Sequence, residues 1–249
     1  MKFFRLLLLL FLAFQTQSEQ LKNILFVGNS YLYYNNSVHN YVEPMLREHH
    51  ESEIETKLSA IGGSKLHHHN IDHLLNPKNL NLDQQIDLLI MQGGSTEVVS
   101  EKDQEKFIQT VQQYSAKAQK LGVKTALYMT HAFTEADRRY EPNLIKKISK
   151  TYHAAGKESN SIVIPVGLAY EIAYKERPNI KLHQVDGSHP SQRGTDFGAA
   201  TVFASVTGKS PEGLEFDYYG AINDEDRVFL QKIAWKAYGN WQRRVMVKN

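Results

Sequence analysis

The chain has 249 residues, with 29 basic side chains against 27 acidic ones and no cysteine. Lack of cysteine excludes a disulfide framework, a thiolate metal site, a thiol nucleophile and a lipoprotein-type acylated anchor. Charges this nearly balanced give no ground for a nucleic-acid partner or an anionic membrane surface.

Residues 1–18 carry Lys2 and Arg5, then the apolar run Leu6 to Phe14, then Thr16-Gln17-Ser18. That order of charged, apolar and small polar parts is the pattern of a secretory signal peptide, and the apolar run is too short for a stable membrane anchor. Cleavage after Ser18 removes Lys2 and Arg5 and leaves equal numbers of basic and acidic residues. The expectation is a secreted or periplasmic protein with a single domain over residues 19–249, long enough to bury a full core. Asn35-Asn36-Ser37 matches a glycosylation sequon.

In the expected mature chain, Ile24 to Val27 is a continuous β-branched and aromatic run, predicted as a strand buried on both faces, and it stops at Gly28-Asn29. Ser30 therefore sits at the carboxyl end of a core strand, where open α/β sheets collect ligands and catalytic groups. Gly-Asn-Ser is also a common turn. Val38, Tyr41, Val42, Met45 and Leu46 recur at helical spacing. A second strand through Ile54, Thr56 and Leu58 ends before Gly62-Gly63-Ser64. Leu66, Ile71, Leu74 and Leu75 suggest a short helix, and Ile86 to Met91 a third core strand running into Gln92-Gly93-Gly94-Ser95.

Phe107, Val111, Tyr114, Ala118 and Leu121 form one helical stripe that Gly122 stops. Strand four is predicted over Val123 to Met129, a helix through Leu144, Ile145, Ile148 and Tyr152, and strand five over Ile162 to Val166. Two helices close the chain, one through Phe197 to Ala204 ending at Gly208 and one from Val228 to Trp241. Five strands alternating with helices predict an α/β fold with a parallel sheet covered on both faces.

Between strand five and the last helices lies Val185-Asp-Gly-Ser-His-Pro190. A carboxylate three residues from an imidazole can hold one ring nitrogen and leave the other free to take a proton. Asp186 and His189 then need a hydroxyl partner, and Ser30 is available if the two loops meet over one sheet edge. The α/β-hydrolase elbow, Gly-x-Ser-x-Gly, is excluded because position 32 is leucine.

Gly28-Asn29-Ser30 near the start and Asp186-Gly-Ser-His189-Pro190 near the end together resemble the SGNH hydrolases, also called GDSL-like esterases. The resemblance implies a flavodoxin-like three-layer α/β/α sandwich with a five-stranded parallel sheet. It implies a Ser30, His189, Asp186 triad, and an oxyanion hole from the backbone of Ser30, Gly63 and the side chain of Gln92. The third block departs from the usual Gly-x-Asn-Asp and is closer to the Gln-Gly-Glu-Ser of sialate and xylan O-acetylesterases, with the Gly94 backbone as the alternative donor. The implied reaction is cleavage of short-chain, acetyl-type esters on a small molecule or glycan, without cofactor or metal. A lipid or thioester hydrolase and a non-catalytic glycan-binding protein are the rivals within the same fold.

Three further features carry two readings each. His67-His68-His69 with His73 offers an i, i+4 pair to a metal, or a polar face beside the cleft. His131 follows strand four, as a pocket residue or a structural histidine. Tyr31, Tyr33 and Tyr34 are a stacking wall for a sugar ring or half-buried packing.

Overall fold

Strand β1 (Asn23–Gly28) is buried at every residue, as an apolar run without alternation requires. The computed structural model describes residues 21–50 and 53–247; the leader expected over residues 1–18 lies outside the described residues. β1 pairs in parallel with β2 (Glu55–Ala60) on one side and β3 (Leu88–Met91) on the other. β4 (Lys124–Tyr128) and β5 (Ile162–Ile164) extend the sheet, in the order β2-β1-β3-β4-β5. All pairings are parallel, and the order is the flavodoxin-like one predicted.

Successive strand residues point to opposite faces, so each strand feeds two cores. Ile24, Phe26, Leu88, Ile90 and Ala126 lie in one core, under α2 (His39–His50), α6 (Val166–Glu176), α7 (Gln192–Thr207) and α8 (Asp224–Met246). Leu25, Val27, Leu89, Met91 and Leu127 face the other, under α4 (Glu101–Lys120) and α5 (Leu144–Ser159). Each of the larger of these side chains, Val, Leu, Ile, Met or Phe, contributes about 1.5–3 kcal/mol by leaving water. Two one-turn helices, α1 (Ser30–Tyr33) and α3 (Ile71–Leu74), sit in the connections after β1 and β2.

Helix α6 is where the sequence reading is corrected, because strand five was expected to run to Val166. It ends at Ile164, and Pro165 becomes the residue before the helix. Proline has no N–H for a sheet ladder and its fixed φ suits a helix start. α6 lies against α5, α7 and α8, so apolar residues occur around much of its surface and blur the helical period.

The chain leaves β1 toward β2 on one side and returns to β3 on the other. The crevice between the carboxyl ends of β1 and β3 is the topological switch point of the sheet.

Candidate active site

Ser30 is the first residue of α1, and Asn29 alone separates it from the end of β1. Asn29 makes the turn: its Oδ1 accepts the N–H of Tyr31 at 3.1 Å, and its Nδ2 donates to Ser64 O at 3.1 Å. The serine is thus held by the strand below it and by the turn after β2.

The loop bearing Asp186 and His189 is a small hairpin over Leu182–Ser191. Ser191 N donates to Leu182 O at 2.8 Å, and Gln184 N to His189 O at 2.8 Å. At its tip Gly187 has φ +71° and its amide donates to Gln184 O. A Cβ there would stand 2.5 Å from Thr134 Oγ1 and 2.7 Å from Asp137 N, so only glycine fits.

The structure brings the three residues into one line. Ser30 Oγ lies 2.9 Å from His189 Nε2, and His189 Nδ1 lies 2.5 Å from Asp186 Oδ2. A carboxylate only accepts, so Nδ1 carries the ring proton and Nε2 accepts from the serine hydroxyl. The second carboxylate oxygen, Oδ1, accepts the N–H groups of Ser188 at 2.9 Å and His189 at 3.0 Å. Partial burial pushes the Asp186 carboxyl up; the bonds from His189 and the two amides outweigh it and hold it below its ordinary value. The site is open, with the side chain of His189 23% exposed and that of Asp186 43%.

Gly63 lies in the turn that follows β2, at φ +67°. That turn is tied to the end of β1 by Ile61 N, which donates to Gly28 O at 3.1 Å. Among the described residues, nothing accepts the N–H of Ser30 or of Gly63. Gln92 is placed differently from the donor expected. It is 1% exposed, its Oε1 accepts the Asn29 N–H at 2.9 Å, and its Nε2 donates to Gly93 O. Its amide is used to join β3 to the turn at Asn29, because a buried amide takes whatever backbone partners surround it. The alternative donor, Gly94 N–H, is also engaged, by the Glu97 carboxylate.

Five hydrogen bonds, from Asn35, His131 and Arg139, brace the loop that carries Asp186 and His189, and these pairings were not legible in the sequence. Asn35 Nδ2 donates to Pro190 O at 2.9 Å and Thr195 Oγ1 at 2.8 Å, while its Oδ1 accepts from Gln184 Nε2 at 3.2 Å. The asparagine of the sequon thus brackets the Asp186–His189 hairpin. His131 Nε2–H donates to Ser188 O at 2.7 Å, its ring sandwiched between Tyr31 and Tyr170 at 4.5 Å each. Burial holds this imidazole well below its usual pKa, and therefore neutral. Arg139, paired through two nitrogens with Asp137, donates to Ser188 Oγ at 3.0 Å.

The tyrosines divide. Tyr34 stacks on the His189 ring at 4.0 Å and 9°, and Tyr33 stands beside it, 39% exposed. Tyr31 is buried, its hydroxyl 2.8 Å from Ser188 Oγ, and burial pushes its pKa up to about 12. The histidines after β2 do not converge. His68 Nδ1 accepts from Lys65 N, His69 Nε2 faces Ser64 Oγ at 3.3 Å, and His73 Nδ1 faces Asn79 at 3.1 Å.

No family model matches the sequence, and no curated protein does. Solved structures do match. A protein assigned as an SGNH hydrolase, from Slackia heliotrinireducens, superposes with TM-score 0.60 at 19% identity over 75% of this chain and 99% of its own. A DUF4886 family protein from Bacteroides uniformis gives TM-score 0.69 at 16% identity, over 87% of this chain and 94% of its own. A variant of Axe2, an acetyl-xylooligosaccharide esterase from Geobacillus stearothermophilus, gives 0.56 at 15%, over 75% and 94%. At these identities the likeness is one of fold, and the fold is that of the SGNH hydrolases.

Proposed function

We propose that this chain is a secreted serine esterase that removes short acyl groups, acetyl above all, from carbohydrate. The observation that carries the reading is the unbroken line from Ser30 Oγ through His189 to Asp186. The carbohydrate part rests on the similarity to Axe2, named for acetyl-xylooligosaccharides, and on the open site. Export rests on the leader pattern of residues 1–18. Among the described residues no helix is long and apolar enough to cross a membrane.

His189 Nε2 takes the Ser30 proton as Oγ attacks the ester carbonyl. Asp186 holds the imidazolium in the orientation it needs. The carbonyl oxygen gains negative charge and receives the N–H groups of Ser30 and Gly63, each such donor worth about 3 kcal/mol in the transition state. His189 then gives its proton to the departing sugar oxygen as the acyl-enzyme forms. Water attacks that ester with His189 again as base, releasing the acid and restoring the Ser30 hydroxyl.

The test compares the protein with Ser30→Ala on p-nitrophenyl acetate, p-nitrophenyl octanoate and acetylated xylooligosaccharide. Turnover of the acetyl esters that falls by at least ~10⁴-fold in the variant supports the reading. A preference for octanoate moves the substrate to lipid or thioester. A folded wild type with no turnover on any of the three sinks the reading.

A further inference from the structure

Glu97 lies two residues beyond the turn after β3 and is 1% exposed. A carboxyl group this deep needs partners, and one of its oxygens has two. Oε2 accepts the N–H of Leu66 at 2.9 Å and the N–H of Gly94. Leu66 belongs to the segment after β2, three residues from Gly63; Gly94 belongs to the turn after β3. One oxygen therefore fastens two loops that meet at the switch point of the sheet.

The fit is close around this clamp. A Cβ on Gly94 would stand 2.7 Å from Ser64 O and 3.3 Å from Lys65 Cα, so the β3 turn presses directly on the residues that follow Gly63. Ser64 O in turn accepts from Asn29, the neighbour of the nucleophile. Lys65 has its own tie, to Asp103 at the start of α4. That pair keeps the segment attached to α4 when the carboxyl is removed.

The other oxygen, Oε1, is buried without a hydrogen bond, and so is His67 Nδ1, 3.8 Å away. Burial pushes the Glu97 carboxyl up against the lowering effect of its two amides, and pushes His67 down. The carboxyl group therefore presents one oxygen to the two amides and turns the other toward the imidazole. A glutamine has the same shape, with one carbonyl oxygen and an N–H donor.

We propose that Glu97 is a positioning residue for the reaction assigned above, holding the Gly63 turn where its backbone N–H meets the oxyanion. It touches no reacting atom and acts through Leu66 and Gly94. The inference rests on the esterase reading.

The experiment measures kcat and KM on p-nitrophenyl acetate for wild type, Glu97→Gln and Glu97→Ala, with hydrogen exchange at the Leu66 and Gly94 amides. Glu97→Ala is expected to lower kcat by about 10–100-fold with KM within about twofold, because the loss falls on the transition state. Both amides then exchange faster. Glu97→Gln is expected to retain at least about a third of wild-type kcat and near-native protection. A residue that merely stabilised the fold would give Glu97→Ala native kinetics below its melting temperature. Native turnover in folded Glu97→Ala overturns the proposal, as does unchanged exchange at both amides, or Glu97→Gln as impaired as Glu97→Ala. Absence of turnover in wild type defeats the esterase reading and the positioning role with it, a result distinct from wild-type and alanine proteins that are equally active.

Discussion

The side-chain oxygen of Gln92 accepts the backbone N–H of Asn29 at 2.9 Å, buried between the ends of β1 and β3. Gln92→Leu removes that acceptor and leaves a buried N–H one residue from Ser30. The expected cost is about 1–3 kcal/mol, read as a lower midpoint in urea. A midpoint equal to that of wild type would show that the Asn29 amide finds another partner.

Asp186→Asn keeps an oxygen for the amides of Ser188 and His189 but can place an NH₂ group against His189 Nδ1. The imidazole then puts its proton on Nε2 and no longer accepts from Ser30. Turnover of p-nitrophenyl acetate is expected to fall by about 10³–10⁴-fold while the melting temperature stays near that of wild type. A fall of less than tenfold would remove Asp186 from the triad.

Asn35 uses its whole amide to hold the hairpin that carries Asp186 and His189. Asn35→Asp keeps the acceptor for Gln184 and loses both donated bonds, to Pro190 O and Thr195 Oγ1. Lower kcat is expected together with a loss of about 1–3 kcal/mol in stability. Mass spectrometry of protein from a glycosylating host is expected to find Asn35 unmodified, and a glycan there would contradict this packing.

Asp196 on α7 is 1% exposed, and burial, with the charge of Asp217 adding to it and Arg227 opposing, pushes its carboxyl up to about 7. A carboxyl raised on folding favours the protonated native state. Its ionisation therefore reduces stability as pH rises from its unfolded value near 4 through about 7. Asp196→Asn, which cannot ionise, is expected to be more stable than wild type at pH 8, by up to about 4 kcal/mol, and to lose the advantage at pH 4. Parallel melting curves at the two pH values would reject this.

Local chemistry made the strands and most helices legible. Ile24 to Val27 and Leu88 to Met91 are apolar on both faces wherever they are placed, and Gly122 and Gly208 end helices by conformation alone, at φ +77° and +66°. Ser30, Asp186 and His189 were legible for a similar reason: the Asp-to-His spacing closes within one loop, and the serine follows a core strand. Where a local rule was silent or diluted, the reading erred, as at Pro165 and the apolar helix that follows it.

What the sequence by itself determined is this alternation of strand and helix and the identity of the three residues at its carboxyl edge, because spacing and side-chain type act over a few residues. Only the tertiary structure decided what the polar residues around them do. Gln92 turns to Asn29, 63 positions away, and Asn35 reaches Thr195 across 160. A buried amide or carboxyl satisfies whichever donors and acceptors the packed chain brings to it, and those partners do not exist until the sheet has formed.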